Sequence, residues 1–410
     1  MTPPGRQRIR FSGISLQAIA IALTLAIACA VAPSAQAQKY KVIHNFTGGT
    51  DGEDPRAGLT RDQAGNFYGT TSTSVYKLTG RGSGWVLTPL YHFTGGSDGQ
   101  AAWSPITIGP DGTLYGTTLG GGYTGGDFCH DGGCGVVYNV KPAPRAPASA
   151  LTPWTETVLH AFTGPPYDGD QPAYEALMFD KAGNLYGTTN FGGNDYGAVF
   201  EMSPSNGGWT ETILFGGFYW GNGYPLAGVV MDAAGNLYGT TENVIYELSP
   251  SPYGWVFTVL HAFTGGKDDG GLAYGGLIFD AQGNLYGATE IGGLNNGGVV
   301  YELSPYDGGW TYNVIYNLSG ADGGPFGSLT LDAAGNLYGL ANGDGINDAG
   351  MVFKLTQSNG TWSLTDLHDF SFDTAYFPYG GVAFDENGNL YGTASSGGVY
   401  GAGVIWEITP

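Results

Sequence analysis

Charge is scarce in this sequence, and basic residues are the scarcest. Charged residues make up 12% of the 410 residues, with 14 Lys and Arg against 35 Asp and Glu, and the formal net charge is −21. Because an acidic surface repels nucleic acid and anionic lipid, we expect neither as a partner. Aromatic residues still make up 14% of the chain. That content excludes a disordered chain and predicts a folded, glycine-rich protein.

Long apolar runs are absent beyond the N-terminus. The basic first residues precede an apolar run from Ile14 to Val31 and the cleavage pattern Ala35-Gln36-Ala37, which predicts a signal peptide over residues 1–37 and a mature chain over 38–410. No second run approaches the roughly 20 residues that span a bilayer. We expect an exported, monomeric protein of the periplasm or extracellular space. A lipobox-like pattern leaves lipid anchoring at Cys29 as a minor alternative.

Cysteine is nearly absent too. Once the predicted signal peptide is removed, only Cys129 and Cys134 remain, five residues apart. In an oxidising compartment a disulfide closing this small loop is the favoured interpretation. A Cys-His-Cys metal site with His130 is the alternative, and it lacks a fourth ligand nearby.

What the sequence does have is one segment in seven copies. The clearest copy is Asp-Ala-Ala-Gly-Asn-Leu-Tyr-Gly-Thr-Thr at Asp232–Thr241. The other copies are Asp62–Thr71, Gly109–Thr118, Asp180–Thr189, Asp280–Thr289, Asp332–Ala341 and Asp385–Ala394. Their turn glycines are 47, 71, 52, 48, 52 and 53 residues apart. Such a period indicates one supersecondary unit stacked seven times.

Each unit contains four short segments with β character. An apolar strand leads into Asp-x-x-Gly-Asn, which has the residue types of a tight hairpin turn. A second strand, Leu-Tyr-Gly-Thr-Thr, follows. The third and fourth strands are exemplified by Val300–Leu303 and Trp255–Phe263. All are short, alternating and bounded by Gly, Pro or Asn, as β-strands are.

The two ends of the chain carry incomplete units. Tyr40–Phe46 is a fourth strand with no unit before it, and Gly403–Ile408 is a third strand with no fourth strand after it. We expect the N-terminal strand to complete the C-terminal sheet, because this closure hides the exposed edges. The sequence therefore predicts an all-β, single-domain, seven-bladed β-propeller of four-stranded blades.

The repeated Gly-Gly-Leu-x-Phe-Asp-x-x-Gly-Asn-Leu-Tyr-Gly-Thr-Thr, followed by Val-Tyr-Glu-Leu-Ser-Pro, resembles the GloVer tandem-repeat, or choice-of-anchor, family over essentially all of residues 40–410. The resemblance implies an exported bacterial protein and brings no assigned reaction. Members end in varied surface-anchoring domains, and this sequence departs from them by ending at Pro410. A fainter likeness to streptogramin lyase and lactonase propellers rests on the turn alone and implies fold, not chemistry.

Histidines and loop aspartates recur with the repeat. Five of six histidines are assigned to one fourth-strand position, which predicts packing rather than catalysis: His44, His92, His160, His261 and His368. The loops between units are rich in Gly and Asp, including Asp51, Asp98 and Asp269. Calcium needs several oxygens converging on one point. Asx turns are the favoured interpretation, calcium at these aspartates is the alternative, and no other cofactor is expected.

One column of the repeat enters the innermost strand from one face. It holds Arg56, Trp103, Tyr174, Leu226, Tyr274, Phe326 and Tyr379. These side chains should crowd the mouth of the central channel. They either form a binding funnel for a sugar or another planar face, or they plug the channel.

Two features break the repeat on that face. The loop from Gly216 to Tyr224 contains Phe218, Tyr219 and Trp220, and Glu175 stands where other units have small residues. Further aromatics are expected on the same face: Tyr123, Phe128, Phe191 and Tyr196. Glu175 is a weak candidate general acid or base, and a surface residue or a partner of Arg56 is the favoured interpretation.

The sequence therefore predicts an exported binding module whose aromatic face recognises a glycan or a cell-surface partner. A polysaccharide or antibiotic lyase or hydrolase acting in the funnel is the chief alternative. A purely structural surface protein is the third.

Overall fold

The computed structural model describes residues 38–409 except 124–128, 130–131, 144–153, 173, 175, 195, 320–323 and 344. The predicted signal peptide, Cys29, Phe128, His130 and Glu175 lie outside the described residues. All regular structure in the described residues is β-strand. Among them there is no helix with the length and hydropathy needed to cross a bilayer.

Antiparallel four-stranded sheets, here called blades 1 to 7, follow one another along the chain. Blade 1 contains Thr60–Arg61, Phe67–Thr70, Ser74–Arg81 and Gly84–His92. Blade 2 contains Thr107–Ile108, Leu114–Thr118, Val136–Pro142 and Trp154–Ala161. Blade 3 contains Met178–Phe179, Leu185–Gly192, Ala198–Ser205 and Gly208–Phe215. Its second strand also pairs with Gly169–Pro172.

The remaining blades repeat this order. Blade 4 contains Val230–Met231, Leu237–Thr240, Val244–Ser251 and Gly254–Ala262. Blade 5 contains Ile278–Phe279, Leu285–Ala288, Val299–Tyr306 and Gly309–Asn317. Blade 6 contains Thr330–Leu331, Leu337–Ala341, Met351–Ser358 and Thr361–Asp369. Blades 5 and 7 each have an additional pair of two-residue strands. These are Gly270–Gly271 paired with Ile291–Gly292, and Ala375–Tyr376 paired with Ser396–Gly397.

Blade 7 closes the ring as predicted. Its first three strands are Ala383–Phe384, Leu390–Ala394 and Val404–Thr409, and its fourth is the N-terminal strand Lys39–Asn45. The Lys41 Nζ atom lies 2.8 Å from Glu407 Oε2 across this junction, and the Phe46 amide donates to the Gly403 carbonyl. The seven-bladed propeller is confirmed.

The Asp-x-x-Gly-Asn turn is held by one carboxylate. Asp232 accepts hydrogen bonds from the backbone amides of Ala234 and Asn236, from the Asn236 side-chain amide and from the Tyr238 hydroxyl, at 2.8 to 3.1 Å. Gly235 takes the left-handed φ of 90° that the turn requires. The Asn and Tyr contacts recur at Asp62, Asp180, Asp280, Asp332 and Asp385.

The glycine of Leu-Tyr-Gly-Thr-Thr lies beneath an aromatic ring. In blade 4 Gly239 pairs with Tyr246 across the sheet, and a Cβ atom at Gly239 would lie 2.4 Å from the Tyr246 hydroxyl oxygen. The same pairing recurs in the other blades: Gly69 with Tyr76, Gly116 with Tyr138, Gly187 with Phe200, Gly287 with Tyr301, Gly339 with Phe353 and Gly392 with Trp406. These rings are fully buried, so the glycine makes room for the core.

The core lies between neighbouring blades. One apolar cluster joins Tyr68 and Val75 of blade 1 to Leu114 and Tyr138 of blade 2. First-strand threonines add hydrogen bonds to the next blade, as Thr60 Oγ1 donates to the Ile106 carbonyl at 2.6 Å. Because each blade buries its faces against two neighbours, the ring orients the loops at its centre.

Candidate functional site

The predicted central column does converge. Six of its seven side chains line one cavity of about 60 Å³: Arg56, Trp103, Tyr174, Tyr274, Phe326 and Tyr379. We call these six the funnel residues. Leu226, the seventh member of the column, is buried. All six are only partly buried, so the cavity opens to solvent.

Backbone geometry directs these side chains inward. Each lies four residues before the first strand of its blade, where the chain turns toward the axis. A residue with left-handed φ stands two or three positions earlier in five units: Asp54, Ala101, Gln171, Leu272 and Phe377. Residues other than glycine adopt this conformation at a cost of about 1 kcal/mol or more. The ring packing therefore holds a strained approach to the funnel in place.

The funnel residues pack on one another in order around the ring. Trp103 and Tyr174 stack with ring centroids 6.2 Å apart, and Tyr274 and Phe326 stack at 4.4 Å. Tyr379 meets the Phe326 ring edge-on at 5.0 Å. The Arg56 guanidinium lies between two of these rings, 4.1 Å from the Trp103 centroid and 5.4 Å from the Tyr379 centroid. This geometry agrees with both predictions, a binding funnel and a plugged channel. The rings fill the centre, and they remain partly exposed.

Small residues beside the funnel bring neighbouring blades close together. A Cβ atom at Gly275 would lie 2.5 Å from the Gly327 carbonyl oxygen, and one at Gly380 would lie 2.3 Å from the Gly58 amide nitrogen. Successive blades therefore meet backbone to backbone. Glu175 belongs to the same column as Gly275 and lies outside the described residues. We call the cavity of about 60 Å³ and the funnel residues around it the dish.

Electrostatics around the dish are dominated by acids. Asp54 accepts from Arg56 Nε through both carboxylate oxygens, each at 3.0 Å, so the guanidinium charge is neutralised locally. Burial and the nearby Glu290 and Glu242 carboxylates raise the pKa of Tyr274 to about 12. Burial also raises the pKa of both glutamates. The dish therefore has a cation–aromatic side and an acidic side.

Glu242 and Glu290 do not line the cavity but lie near the funnel residue Tyr274, and the sequence reasoning missed them. Each follows the Thr-Thr or Ala-Thr pair that ends the second-strand motif, and the Glu242 and Glu290 backbones hydrogen-bond to the loop entering the next funnel position. The sequence could have identified these two glutamates, because their position in the repeat holds an acid in two units only. This position holds Ser72, Leu119, Asn190, Glu242, Glu290, Asn342 and Ser395. Only blades 4 and 5 place an acid there.

A wider apolar surface surrounds the dish. The loops between second and third strands and those between blades lie on one face, which we call the top face, since backbone hydrogen bonds such as Gly122 to Gly96 and Gly193 to Asp168 join them. Of the large exposed apolar residues in the described part of the chain, most lie on these loops: Tyr123, Tyr167, Tyr219, Trp220, Leu294, Ile346, Phe372, Val399 and Tyr400. Within the described residues, the top face therefore carries more of the exposed large apolar side chains than the opposite face.

The aromatic loop before blade 4 divides its residues between packing and exposure. Phe218 is buried and contacts Phe215, Tyr246 and Phe257. Tyr219 and Trp220 are 55% and 77% exposed. The predicted loop aromatics Phe191 and Tyr196 contact Tyr224, at 5.0 and 5.5 Å between centroids. Tyr219 and Trp220 therefore remain available to a ligand.

The loop aspartates hold turns. Asp269 accepts from the backbone amide and hydroxyl of Thr264 and from the Gly270 amide, and it lies 3.0 Å from His261 Nε2. Asp51 and Asp98 accept equivalent hydrogen bonds from Thr47 and Thr94. These donors occupy most of the oxygen lone pairs that calcium would use.

The prediction that five histidines share one position of the repeat is wrong for His92. The strand register places Tyr91, not His92, at the position of His261, because Tyr91 pairs with Val75 as His261 pairs with Ile245. His92 lies one residue later and is exposed. His44, His160, His261 and His368 keep the position, and each packs edge-on against a phenylalanine two residues later. Cys129 and Cys134 form the expected disulfide.

The fold and the dish define a class, a seven-bladed β-propeller repeat protein with an aromatic top face. The chain belongs to the Gloeobacter/Verrucomicrobia repeat family, whose sequence model matches residues 31–243 and 242–410. This match confirms the resemblance drawn from the repeat. No curated protein matches the chain.

Solved propellers are similar at low identity. An extracellular domain ascribed to the hybrid two-component system BT4673 of B. thetaiotaomicron aligns with a TM-score of 0.57 and 12% identity, covering 90% of this chain and 39% of that one. The extracellular domain ascribed to BT3049 of the same organism aligns with a TM-score of 0.54 and 11% identity, covering 90% and 41%. The chain thus spans about two fifths of these relatives, and the likeness shows the fold alone.

Proposed function

We propose that this chain is an exported binding module that recognises a carbohydrate across its top face. The observation that carries the proposal is the gathering of aromatic side chains there, in the dish and on the loops around it. Aromatic rings stack on the apolar faces of sugars, while nearby carboxylates and amides accept hydrogen bonds from hydroxyls. Glu242 and Glu290 on the acidic side of the dish supply such acceptors.

The size of the dish limits how the ligand binds. Pockets that enclose small ligands measure about 300–1,000 Å³. The cavity among the funnel residues is about 60 Å³, so a sugar ring does not fit inside it. The ligand would lie across the mouth and contact Trp220 and Tyr219 on the rim. The buried Trp103 Nε1 has no hydrogen-bond partner, so a ring movement toward a ligand hydroxyl breaks no hydrogen bond there.

Location outside the cytoplasm is part of the proposal. The N-terminal residues have the composition of a signal peptide, and the described cysteines are joined in a disulfide. The propellers of B. thetaiotaomicron are extracellular domains, which agrees with export.

The test is binding of the mature chain, residues 38–410, to a panel of immobilised polysaccharides, with soluble products measured in parallel. Trp103→Ala and Trp220→Ala should each weaken retention at least fivefold. Tyr253→Ala is the matched control, because Tyr253 is 100% exposed on a turn between third and fourth strands, away from the top-face loops. Retention that survives both tryptophan substitutions would contradict the proposal. A blank panel would instead favour a protein partner.

A hydrolase or lyase is the second candidate. It is favoured by Glu242 and Glu290, whose raised pKa is what a general acid needs. Soluble products from a polysaccharide in the panel would support it. Glu290→Gln should then stop product formation while retention persists. Retention without products in the wild type would argue against it.

A further inference from the structure

A second chemical site lies away from the top-face dish, between the outer strands of blades 2 and 3. His160 is on the fourth strand of blade 2, Asp168 is in the loop that follows, and Glu211 is on the fourth strand of blade 3. One potential ligand atom from each lies within 4.8 Å of the others. None of these residues belongs to the funnel.

Their spacing suits a small divalent cation. Zinc binds imidazole nitrogen and carboxylate oxygen at about 2.0–2.2 Å, which places neighbouring ligand atoms of a tetrahedral site about 3.3–3.6 Å apart. His160 Nε2 lies 3.3 Å from both carboxylate oxygens of Asp168. Glu211 supplies a carboxylate oxygen within 4.8 Å of the ligand atoms of His160 and Asp168.

Hydrogen bonds fix the orientation of the Asp168 carboxylate. The Thr163 amide and hydroxyl donate to Oδ2 at 2.8 and 2.9 Å, and the Gly169 amide donates to Oδ1 at 2.7 Å. A carboxylate has about four lone-pair sites, so one site on Oδ1 remains for His160 or a cation. Hydrogen bonds of this kind orient metal ligands and preserve their charge.

The repeat itself provides the comparison. In three other grooves the same positions are filled by stacked rings: Phe215 on Phe257 at 4.7 Å, His261 on Tyr312 at 3.7 Å and His368 on Tyr40 at 3.7 Å. Between blades 2 and 3 the second ring is replaced by Glu211. Its Oε1 atom is buried and has no hydrogen-bond partner. A buried carboxylate oxygen without a hydrogen-bond partner is costly, and a bound cation would compensate it.

We propose that His160, Asp168 and Glu211 bind one zinc ion that fastens blade 2 to blade 3. Nitrogen and oxygen ligands in this ratio suit zinc, and three protein ligands leave one position for water. The His160 and Asp168 side chains are 23% and 12% exposed, so a cation can reach them from solvent. The ion would join the fourth strand of blade 2 and the loop after it to the fourth strand of blade 3.

A proton is the competing occupant. Burial and the Asp168 charge raise the pKa of Glu211 to about 7, although His160 acts to lower it. A protonated Glu211 would compensate the buried oxygen without a metal. The groove between blades 1 and 2 shows the arrangement without a histidine, since Tyr91, Asp98 and Glu156 take the three positions and the Tyr91 hydroxyl donates to Asp98 at 2.9 Å. Tyrosine at neutral pH is a poor zinc ligand, so this groove is the internal control.

The test is titration of Zn²⁺ into tag-free mature chain that has been stripped with a chelator, followed by calorimetry and metal analysis after dialysis. We expect one zinc per chain in the wild type. Glu211→Gln and His160→Gln should each weaken zinc binding at least tenfold. Glu156→Gln, the matched change in the neighbouring groove, should leave it unchanged.

Thermal unfolding of the same proteins guards against variants that fold poorly. Zinc should raise the Tm of the wild type and of Glu156→Gln, because it binds only the folded chain. At the same zinc concentration it should raise the Tm of Glu211→Gln less than that of the wild type. Absence of stoichiometric zinc in the wild type would overturn the proposal, and so would zinc binding that Glu211→Gln and His160→Gln retain. Zinc binding lost by Glu156→Gln as well would also overturn it, because the site would then not be the one proposed.

Discussion

At the scale of single residues, the buried aromatic residue of the third strand shows which part of a side chain the fold needs, because its type differs between blades. Four blades use tyrosine there, and the hydroxyls of Tyr76, Tyr138, Tyr246 and Tyr301 are buried without hydrogen-bond partners. Blades 3 and 6 use Phe200 and Phe353 at the same position. The fold therefore needs the ring and not the hydroxyl.

Tyr246→Phe should stabilise the protein by about 1 kcal/mol, because it removes a buried hydroxyl that has lost its hydrogen bonds to water. The measurement is the free energy of unfolding in urea. Tyr238→Phe is the control, since the Tyr238 hydroxyl donates to Asp232 at 3.1 Å and its loss should destabilise. A destabilised Tyr246→Phe would show that the hydroxyl has a partner, such as an ordered water.

Glu156→Gln should make stability less dependent on pH. Burial, with a smaller effect of Asp98, raises the pKa of Glu156 from 4.5 to about 7. A group with a raised pKa contributes its full stability below the unfolded value of 4.5 and loses that contribution as pH rises through about 7. The variant should match the wild type near pH 5 and exceed it by roughly 1 kcal/mol at pH 9, a figure reduced for partial exposure. Parallel unfolding curves across that range would refute the shift.

At the scale of the strand and the turn, the two glycines of the repeated motif serve different needs. Gly239 leaves room for Tyr246, while Gly235 supplies a left-handed turn and has open space around it. Gly239→Ala should cost about 1–3 kcal/mol through overpacking. Gly235→Ala should cost about 1 kcal/mol through backbone strain.

A double-mutant cycle separates the two causes. Combining Gly239→Ala with Tyr246→Leu should recover part of the loss, because the smaller side chain frees the space that the new Cβ needs. Combining Gly235→Ala with Tyr246→Leu should give additive losses. Equal coupling in both pairs would mean that the ring does not set the glycine requirement at position 239.

At the scale of the whole molecule, ring closure depends on one strand. Deleting residues 38–45 should unfold or aggregate the protein, because the Val404–Thr409 edge and the core side of blade 7 become exposed. A permuted chain that carries this strand after Thr409, joined by the blade 4 turn Ser249-Pro250-Ser251-Pro252-Tyr253-Gly254, should restore a cooperative transition. A deleted chain that melts like the wild type would show that closure contributes little.

Acid should destabilise the whole ring. Burial tends to raise the pKa of the turn aspartates, but hydrogen bonds from Asn and Tyr outweigh it and lower the pKa below 3.8 at Asp62, Asp180, Asp232, Asp332 and Asp385. Their contribution is present above pH 3.8 and lost as pH falls through the lowered values. Denaturant unfolding should therefore show stability falling steeply below about pH 4. Constant stability from pH 5 to pH 2 would contradict this.

The limits of sequence reasoning show at particular residues. The seven repeated turns, six of them Asp-x-x-Gly-Asn, and the orphan end strands predicted blade number and closure, because short-range turn chemistry and edge pairing act locally. His92 was assigned to the wrong position because the histidine was matched by type. The position six residues after Trp85 holds Tyr91, as the position six residues after Trp255 holds His261. Glu242 and Glu290 were missed because their column looks like an ordinary loop position.

The sequence by itself determined that this protein is a closed ring of seven blades, since each unit carries its own turn, strands and packing glycine. It also determined which column lines the centre. Only the tertiary structure decided that the column surrounds a cavity too small to enclose a sugar ring. It alone brought Glu211 to His160 and Asp168, because these residues come from different blades and their distance depends on how those blades pack.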